Sequence, residues 1–222
     1  MSTPQSVKTI QSSVTEFNTG FTDAVGPELA EVFALEQAEL VAAGLPSAVV
    51  STGDTLPDAT LVRADGTSVG LAEELSGSPA VLVFYRGAWC PYCNITLRHY
   101  NENLAPALTD RGVRLIAISP QTPAGTEAAI LKDGLSFTVL SDPGNALATR
   151  FGIVTAPSAD ARGAHTQLGF DVANSNADST AAIPFPTVLV IGVDGAITFA
   201  DVHVDYTSRT EVPVILEAVD AL

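Results

Sequence analysis

Apolar residues recur along this chain at two periods, and the change from one period to the other lays out its elements. Near the N-terminus Val7, Ile10, Val14, Phe17 and Phe21 return at intervals of three and four, the spacing of one face of a helix. A second helix is predicted from Pro27, which suits the first helical position, through Leu29, Val32, Phe33 and Leu40 to a stop at Gly44 and Pro46. From Ser51 the pattern shortens: Asp65-Gly66 between short apolar runs signals a hairpin, and residues 71–75 form a brief helix. Residues 80–85 are an unbroken apolar run, the signature of a strand buried on both faces. A turn over Arg86-Gly87-Ala88-Trp89 leads to Pro91, suited to the first turn of a helix that continues through Leu97, Tyr100 and Leu104 until Pro106 kinks or restarts it.

Strands over 113–118 and 137–140 then alternate with helices over 124–132 and from Asp142-Pro143 to about Gly152. Residues 156–183 are rich in Ser, Asn, Ala and Asp with little periodicity and read as a long loop, either a lid or a solvated surface excursion. Strands over 187–191 and 196–204, joined through Asp194-Gly195, and a closing helix over 211–222 end the chain. Pro186, immediately before the strand at 187, stands in a tight-turn position that invites a cis bond.

Strands alternating with helices imply an α/β fold with right-handed crossovers and chemistry at the carboxyl ends of the strands. The division expected is an N-terminal helical arm over 1–48 and a main domain over 49–222. The arm either packs on its own domain or joins two copies as a homodimer, and its apolar stripe is compatible with both.

Charge narrows the partners. Ten Lys and Arg against 25 Asp and Glu give a formal charge of −15, which disfavours nucleic acid and anionic membrane as partners. No apolar run reaches membrane-spanning length, the first residues lack a signal-like apolar core, and two cysteines make no disulfide framework; a cytoplasmic, reducing compartment is the expectation.

Those two cysteines, Cys90 and Cys93, carry the candidate chemistry. They fall at a predicted helix N-terminus, where unpaired N–H groups and the helix dipole favour thiolate over thiol. A spacing of three places them on one face, so the pair can open and close as a disulfide. Cys90, earlier on the turn, is expected to be the more accessible, with Cys93 pointing into the first buried turn. A zinc site would need two further ligands, and His99, His165 and His203 are scattered, so no metal or cofactor is expected. A different class stays open, a non-catalytic dimer in which two chains hold an iron–sulfur cluster or zinc between their cysteine pairs.

Cys90-Pro91-Tyr92-Cys93 at the first strand–helix junction, with a proline before a late strand, resembles the thioredoxin fold: a central mixed sheet flanked by helices, here with an N-terminal helical extension. The motif itself is identical to that of dithiol glutaredoxins. Gly53-Asp54, Pro57-Asp58-Ala59-Thr60-Leu61, Phe84-Tyr85-Arg86-Gly87-Ala88-Trp89, Ser119-Pro120-Gln121-Thr122, Leu140-Ser141-Asp142-Pro143 and residues 201–209 resemble the alkyl hydroperoxide reductase and thiol-specific antioxidant family, in its peroxiredoxin-like branch.

That resemblance implies a thiol-dependent antioxidant oxidoreductase that reduces hydroperoxides through a Cys90/Cys93 cycle recycled by thioredoxin or a low-molecular-weight thiol. The alternative it carries is exchange with protein or small disulfides, with Cys90 attacking. Laying the peroxiredoxin pattern Pro-x-x-x-Thr-x-x-Cys on the chain puts Arg86 at the proline, Cys90 at the threonine and Cys93 at the peroxide-attacking cysteine. The family's arginine before the late strand has no counterpart in Pro184-Phe185-Pro186. Phe185, Pro186 and Thr187 match the segment that faces the dithiol, and Arg86, Trp89 and Tyr92 complete the expected substrate groove, with Arg86 supplying positive field and Trp89 shielding the thiolate.

Overall fold

The computed structural model of the protein describes residues 8–222; Val7, first in the expected apolar stripe, lies outside them. Helix α1 (Ile10–Val25) is capped by the Thr9 hydroxyl, which accepts from the Ser12 N–H at 3.0 Å. Gly26, at φ +88°, ends it, and Pro27 opens α2 (Pro27–Ala43) as the first-position proline predicts. The hairpin of β1 (Thr60–Val62) and β2 (Ser68–Gly70) turns at Asp65-Gly66, and α3 (Leu71–Leu75) leads to β3 (Ala80–Phe84).

Helix α4 (Pro91–Asn103) passes through Leu104 into α5 (Ala105–Asp110), the restart that Pro106 imposes. Then come β4 (Arg114–Ser119), α6 (Pro123–Asp133), β5 (Thr138–Ser141), a 3₁₀ turn (Pro143–Asn145) and α7 (Ala146–Arg150). The chain continues through β6 (Val154–Thr155), α8 (Ala159–Gln167), α9 (Val172–Ser175) and β7 (Ile183–Pro184) to β8 (Thr187–Ile191), β9 (Ile197–Val202) and α10 (Val212–Asp220).

Seven strands form one mixed sheet in the order β2-β1-β5-β4-β3-β8-β9. The β3, β4 and β5 strands run parallel, as helical crossovers require, whereas β8 lies antiparallel on the other side of β3, with Leu82 opposite both Ile116 and Leu189. All five residues of β3 are buried because both faces are covered. Val81 and Val83 point into the core that α1, α4 and α10 close, and Leu82 and Phe84 into the one under α3 and α7.

Helices α1 and α2 lie on the domain. Ile10 and Val14 are buried in the same core as α4, and the Glu211 carboxylate takes two first-turn N–H groups of α1, from Ile10 at 3.1 Å and Gln11 at 2.8 Å. The Glu36 carboxylate accepts the Ser158 N–H at 2.9 Å, and Gln37 donates to Asp205.

Two expectations are corrected. Residues 156–183 are not a structureless loop, since α8 and α9 occupy much of the segment; the inward positions of α8 are Ala161, Ala164 and His165, too small or too polar to register as an apolar stripe. The bond before Pro186 is trans, as is every other among the described residues. The chain passes extended from β7 to β8, with the Pro186 carbonyl accepting from the His203 N–H at 2.9 Å, so the intrinsic preference for trans meets no tight turn to oppose it.

The packing of α1 is measurable. Replacing Ile10, 1% exposed, by Ala should cost about 2–5 kcal/mol of unfolding free energy in urea titration. Leu131→Ala, at a side chain 76% exposed, should change it by less than about 0.5 kcal/mol.

Candidate active site

The site is built at the carboxyl end of β3, where the strand gives way to the turn 86–89 and then to α4. Both backbone groups of Ala88 are clamped, its N–H donating to Gln121 Oε1 at 2.8 Å and its carbonyl accepting from Asn94 Nδ2 at 2.8 Å. Gly87, at φ +146°, is required here: a Cβ would come 2.4 Å from Trp89 Nε1, because the indole lies on the space where that carbon would be. The turn delivers Cys90 to the N-cap of α4 and Cys93 to its third position.

Both thiols are free and buried, Cys90 1% and Cys93 0% exposed. The expectation that Cys90 would be accessible is therefore corrected, and the cause lies far away in the chain. Phe21 of α1, Phe33 of α2, and His165 and Phe170 from the 156–183 segment close over Trp89 and Cys90, with Trp89 stacked on Phe170 at 5.5 Å between ring centroids. Tyr92 is buried too, its hydroxyl donating to Asn18 Oδ1 of α1 at 2.9 Å and its ring edge-on to Phe17.

The two sulfurs differ sharply. Arg209 donates to the carbonyls of Tyr206 at 2.5 Å and Ser208 at 2.6 Å through Nη1, and Nη2 points at Cys93 Sγ, 3.4 Å away. Burial by itself raises the Cys93 thiol, but the hydrogen bond from Cys90, the guanidinium charges of Arg209 and Arg86 and the Arg86 backbone N–H together carry it well below the ordinary thiol range. Cys90 moves the other way: burial, then its hydrogen bond to Cys93 and the negative charge there, push it well above that range. The two shifts run in opposite directions, and both favour negative charge on Cys93 over Cys90.

Arg209 sits in a fixed loop. Tyr100 of α4, the helix that carries Cys93, donates to the Thr210 carbonyl at 2.6 Å; Thr210 donates to Asp201 at 2.8 Å, and His203 bridges Ser208 and Thr210 at 2.8 and 3.2 Å. Pro186 and Thr187 join Cys93 and Arg209 around a cavity of about 10 Å³, room for one water-sized group. Phe185 is displaced from that cavity and borders a neighbouring one with Glu36 and Arg86.

Arg86 is 5% exposed rather than a surface cation, its guanidinium 4.0 Å from the Tyr206 ring centroid and 4.9 Å from that of Trp89. His99 lies apart from the sulfurs, beside Lys8 and Glu16, and Asp58 is exposed. Burial and the charge of Arg86 lower His165 to about 4, so it is a neutral ring in this wall. Arg209, Gln121, Tyr206, His165 and Phe170 were missed as site residues. Among the described residues no group of three or more His, Cys, Asp or Glu could hold a metal ion, and no helix is long and apolar enough to cross a membrane.

A mixed α/β sheet with a dithiol at the first strand–helix junction and Pro186 facing it defines a thioredoxin-fold protein. Residues 52–200 match the AhpC/TSA family, and the chain belongs to that family. Peroxiredoxin Q of Gentiana triflora is 32% identical over 106 residues, 48% of each chain, and peroxiredoxin Bcp of Escherichia coli K12 is 29% identical over 104 residues, 47% of this chain and 65% of that protein. The chain thus spans about half to two-thirds of the length of the curated relatives it matches. The crystal structures of peroxidoxin BcpB from Mycobacterium tuberculosis (21% identity, TM-score 0.60, covering 78% of this chain and 98% of that one) and reduced Prx3 from Vibrio vulnificus (19%, 0.62, 78% and 99%) share the fold.

The charge on Cys93 is open to titration. Thiolate absorbance near 240 nm should show one thiolate at neutral pH and the second only above the usual thiol range. Cys93→Ser should remove the early step, and Arg209→Gln should move it to higher pH. An early step that survives Cys93→Ser would give the charge to Cys90.

Proposed function

We propose that the protein reduces hydroperoxides with Cys93 as the attacking thiolate and Cys90 as its resolving partner. The observation that carries the reading is the Arg209 guanidinium 3.4 Å from the sulfur of a fully buried cysteine. A desolvated thiolate held by a cation is a strong nucleophile, and the same cation stabilises the negative charge that develops on the departing oxygen. The Cys93 thiolate attacks one peroxide oxygen, the O–O bond breaks, and the leaving alkoxide or hydroxide takes a proton, giving Cys93 sulfenic acid and an alcohol or water. Cys90, still a thiol, then displaces the sulfenic oxygen as water and forms the Cys90–Cys93 disulfide. Two equivalents of thiol, supplied by a thioredoxin-like protein or a low-molecular-weight thiol in a reducing, cytoplasmic compartment, restore the pair.

The overlay that puts Cys93 at the peroxide-attacking position supports this assignment. Arg209 supports it as a substitute for the family arginine that this chain lacks before β8. Disulfide exchange led by Cys90 requires that sulfur to be exposed and acidic, and it is neither. A cluster shared between two chains requires both sulfurs at the surface, and both are buried.

Stopped-flow oxidation by hydrogen peroxide, followed through the fluorescence of Trp89, the sole tryptophan, tests the assignment. Wild type and Cys90→Ser should oxidise much faster than a free thiol of equal acidity. Cys93→Ser should lose at least about two orders of magnitude, as removing an activated nucleophile does. Fast oxidation retained by Cys93→Ser and lost by Cys90→Ser would reverse the roles.

A further inference from the structure

The two sulfurs open onto different chambers. Cys93 meets only the water-sized cavity beside Arg209, whereas Cys90 lies on the wall of a second cavity of about 130 Å³ that does not reach Cys93. The larger chamber is lined by aromatic rings, among them Phe21, Phe33 and Phe170, and is comparable in volume to a space that accepts a single aromatic ring.

Trp89 Nε1 and His165 Nδ1 stand in its wall buried and without a hydrogen-bond partner, and the one charged side chain of the wall is Arg86. Among the described residues no oxygen accepts a hydrogen bond from the Arg86 guanidinium, and no carboxylate lies within ion-pair distance of it, although the side chain is 95% buried. Its faces are covered by Tyr206 and Trp89, so a further acceptor must meet it at the N–H edge. A buried guanidinium of this kind fits a planar, anionic acceptor.

We propose that this chamber is the entry site for the reductant, and that the reductant is a small thiol with a compact apolar, ring-sized body and a carboxylate that pairs with Arg86. The inference rests on the peroxidase cycle above and names its electron donor. In the oxidised protein the incoming thiolate attacks Cys90 Sγ, the sulfur of the cysteine on the chamber wall, forming a mixed disulfide as the Cys90–Cys93 bond breaks. The electron pair leaves on Cys93, where Arg209 receives the charge, and a stabilised thiolate is the better leaving group. A second molecule of the thiol attacks the mixed disulfide, releases the small disulfide and returns Cys90 as a thiol after protonation. Attack in the opposite sense would expel the thiolate of Cys90, which has no cation in hydrogen-bond contact. The same aromatic cover excludes a protein thiol from Cys90 unless the cover opens.

The test uses the full-length protein with its disulfide formed by diamide, so that it runs whatever the outcome of the peroxide experiment. Reduction is followed by Trp89 fluorescence with the three isomers of mercaptobenzoate, the matched methylbenzenethiols and 2-mercaptoethanol. Reduction by a thioredoxin system is followed by NADPH consumption. At least one mercaptobenzoate should give saturating kinetics and exceed its methyl counterpart about tenfold or more once thiol basicity is allowed for, the worth of one charge-assisted hydrogen bond. Arg86→Gln should erase that ratio, a comparison that cancels any change in overall rate. In mass spectra of the wild-type protein quenched with acid part-way through reduction, the mixed disulfide should be found on Cys90. Rates ordered by thiol basicity alone, a thioredoxin far faster than every small thiol, or a mixed disulfide found on Cys93 would each overturn the proposal without touching the role of Cys93 toward peroxide.

Discussion

A negative sulfur inside a protein is costly unless a cation is buried with it, and the contact between Cys93 and Arg209 meets that requirement here. Much of the surrounding structure holds that contact in place. The guanidinium is fixed through carbonyls of its own loop, the loop is tied to α4 by the Tyr100 hydroxyl, and α4 is fixed to the end of β3 by the Asn94 and Gln121 clamps on Ala88. Breaking one partner away would leave the other charge buried and unmatched, and that penalty is larger than the net worth of the pair. Undocking the loop after β9 from α4 would therefore remove one of the cations that hold the Cys93 thiol low.

Position on the helix does not decide which cysteine is charged. Cys90, at the N-cap, and Cys93, the third residue of the helix, both lie within the first turn, where the dipole contributes about 0.3–1 kcal/mol to an anion, rising to ~2 when partly buried. Burial opposes ionisation of both sulfurs and is the largest influence on each. The difference between them comes from hydrogen bonds and charge: Cys93 receives Cys90, Arg209 and the Arg86 N–H, while Cys90 gives up its proton's hydrogen bond to its neighbour. Once Cys93 is the anion, its charge itself discourages a second one a few ångströms away.

How much of this was legible in the sequence follows the range of the interactions. The helices at 10–43, the hairpin at Asp65-Gly66, the buried strand before the cysteines and the restart at Pro106 were all readable, because each is set by period, cap or proline within a few residues. The cysteines, Trp89 and Tyr92 were readable from one short motif. Arg209 was not: it ends a segment that resembles the family, but it is 116 residues from Cys93 and nothing in that segment points to the sulfur. The family position where an arginine was sought is occupied by Pro184-Phe185-Pro186, and the guanidinium at Cys93 comes instead from the loop after β9. Cys90 was misjudged as exposed for the same reason, since its cover comes from α1, α2 and a segment whose inward residues are Ala161, Ala164 and His165.

The N-terminal helices then take on a role that a surface arm would not need. A thiol pair at the carboxyl end of a parallel sheet is exposed by default, because that edge is where the crossovers leave a crevice. Here Phe17, Phe21 and Phe33 are brought across the crevice and held by polar tethers at Glu211, Asn18, Glu36 and Gln37, so the apolar stripe that defines α1 in sequence is also the roof of the redox site. Removing water from the pair strengthens every electrostatic term around Cys93 and at the same time suppresses ionisation of Cys90. One act of burial thus sharpens the difference between the two sulfurs, favouring charge on the one that Arg209 reaches and disfavouring it on the other.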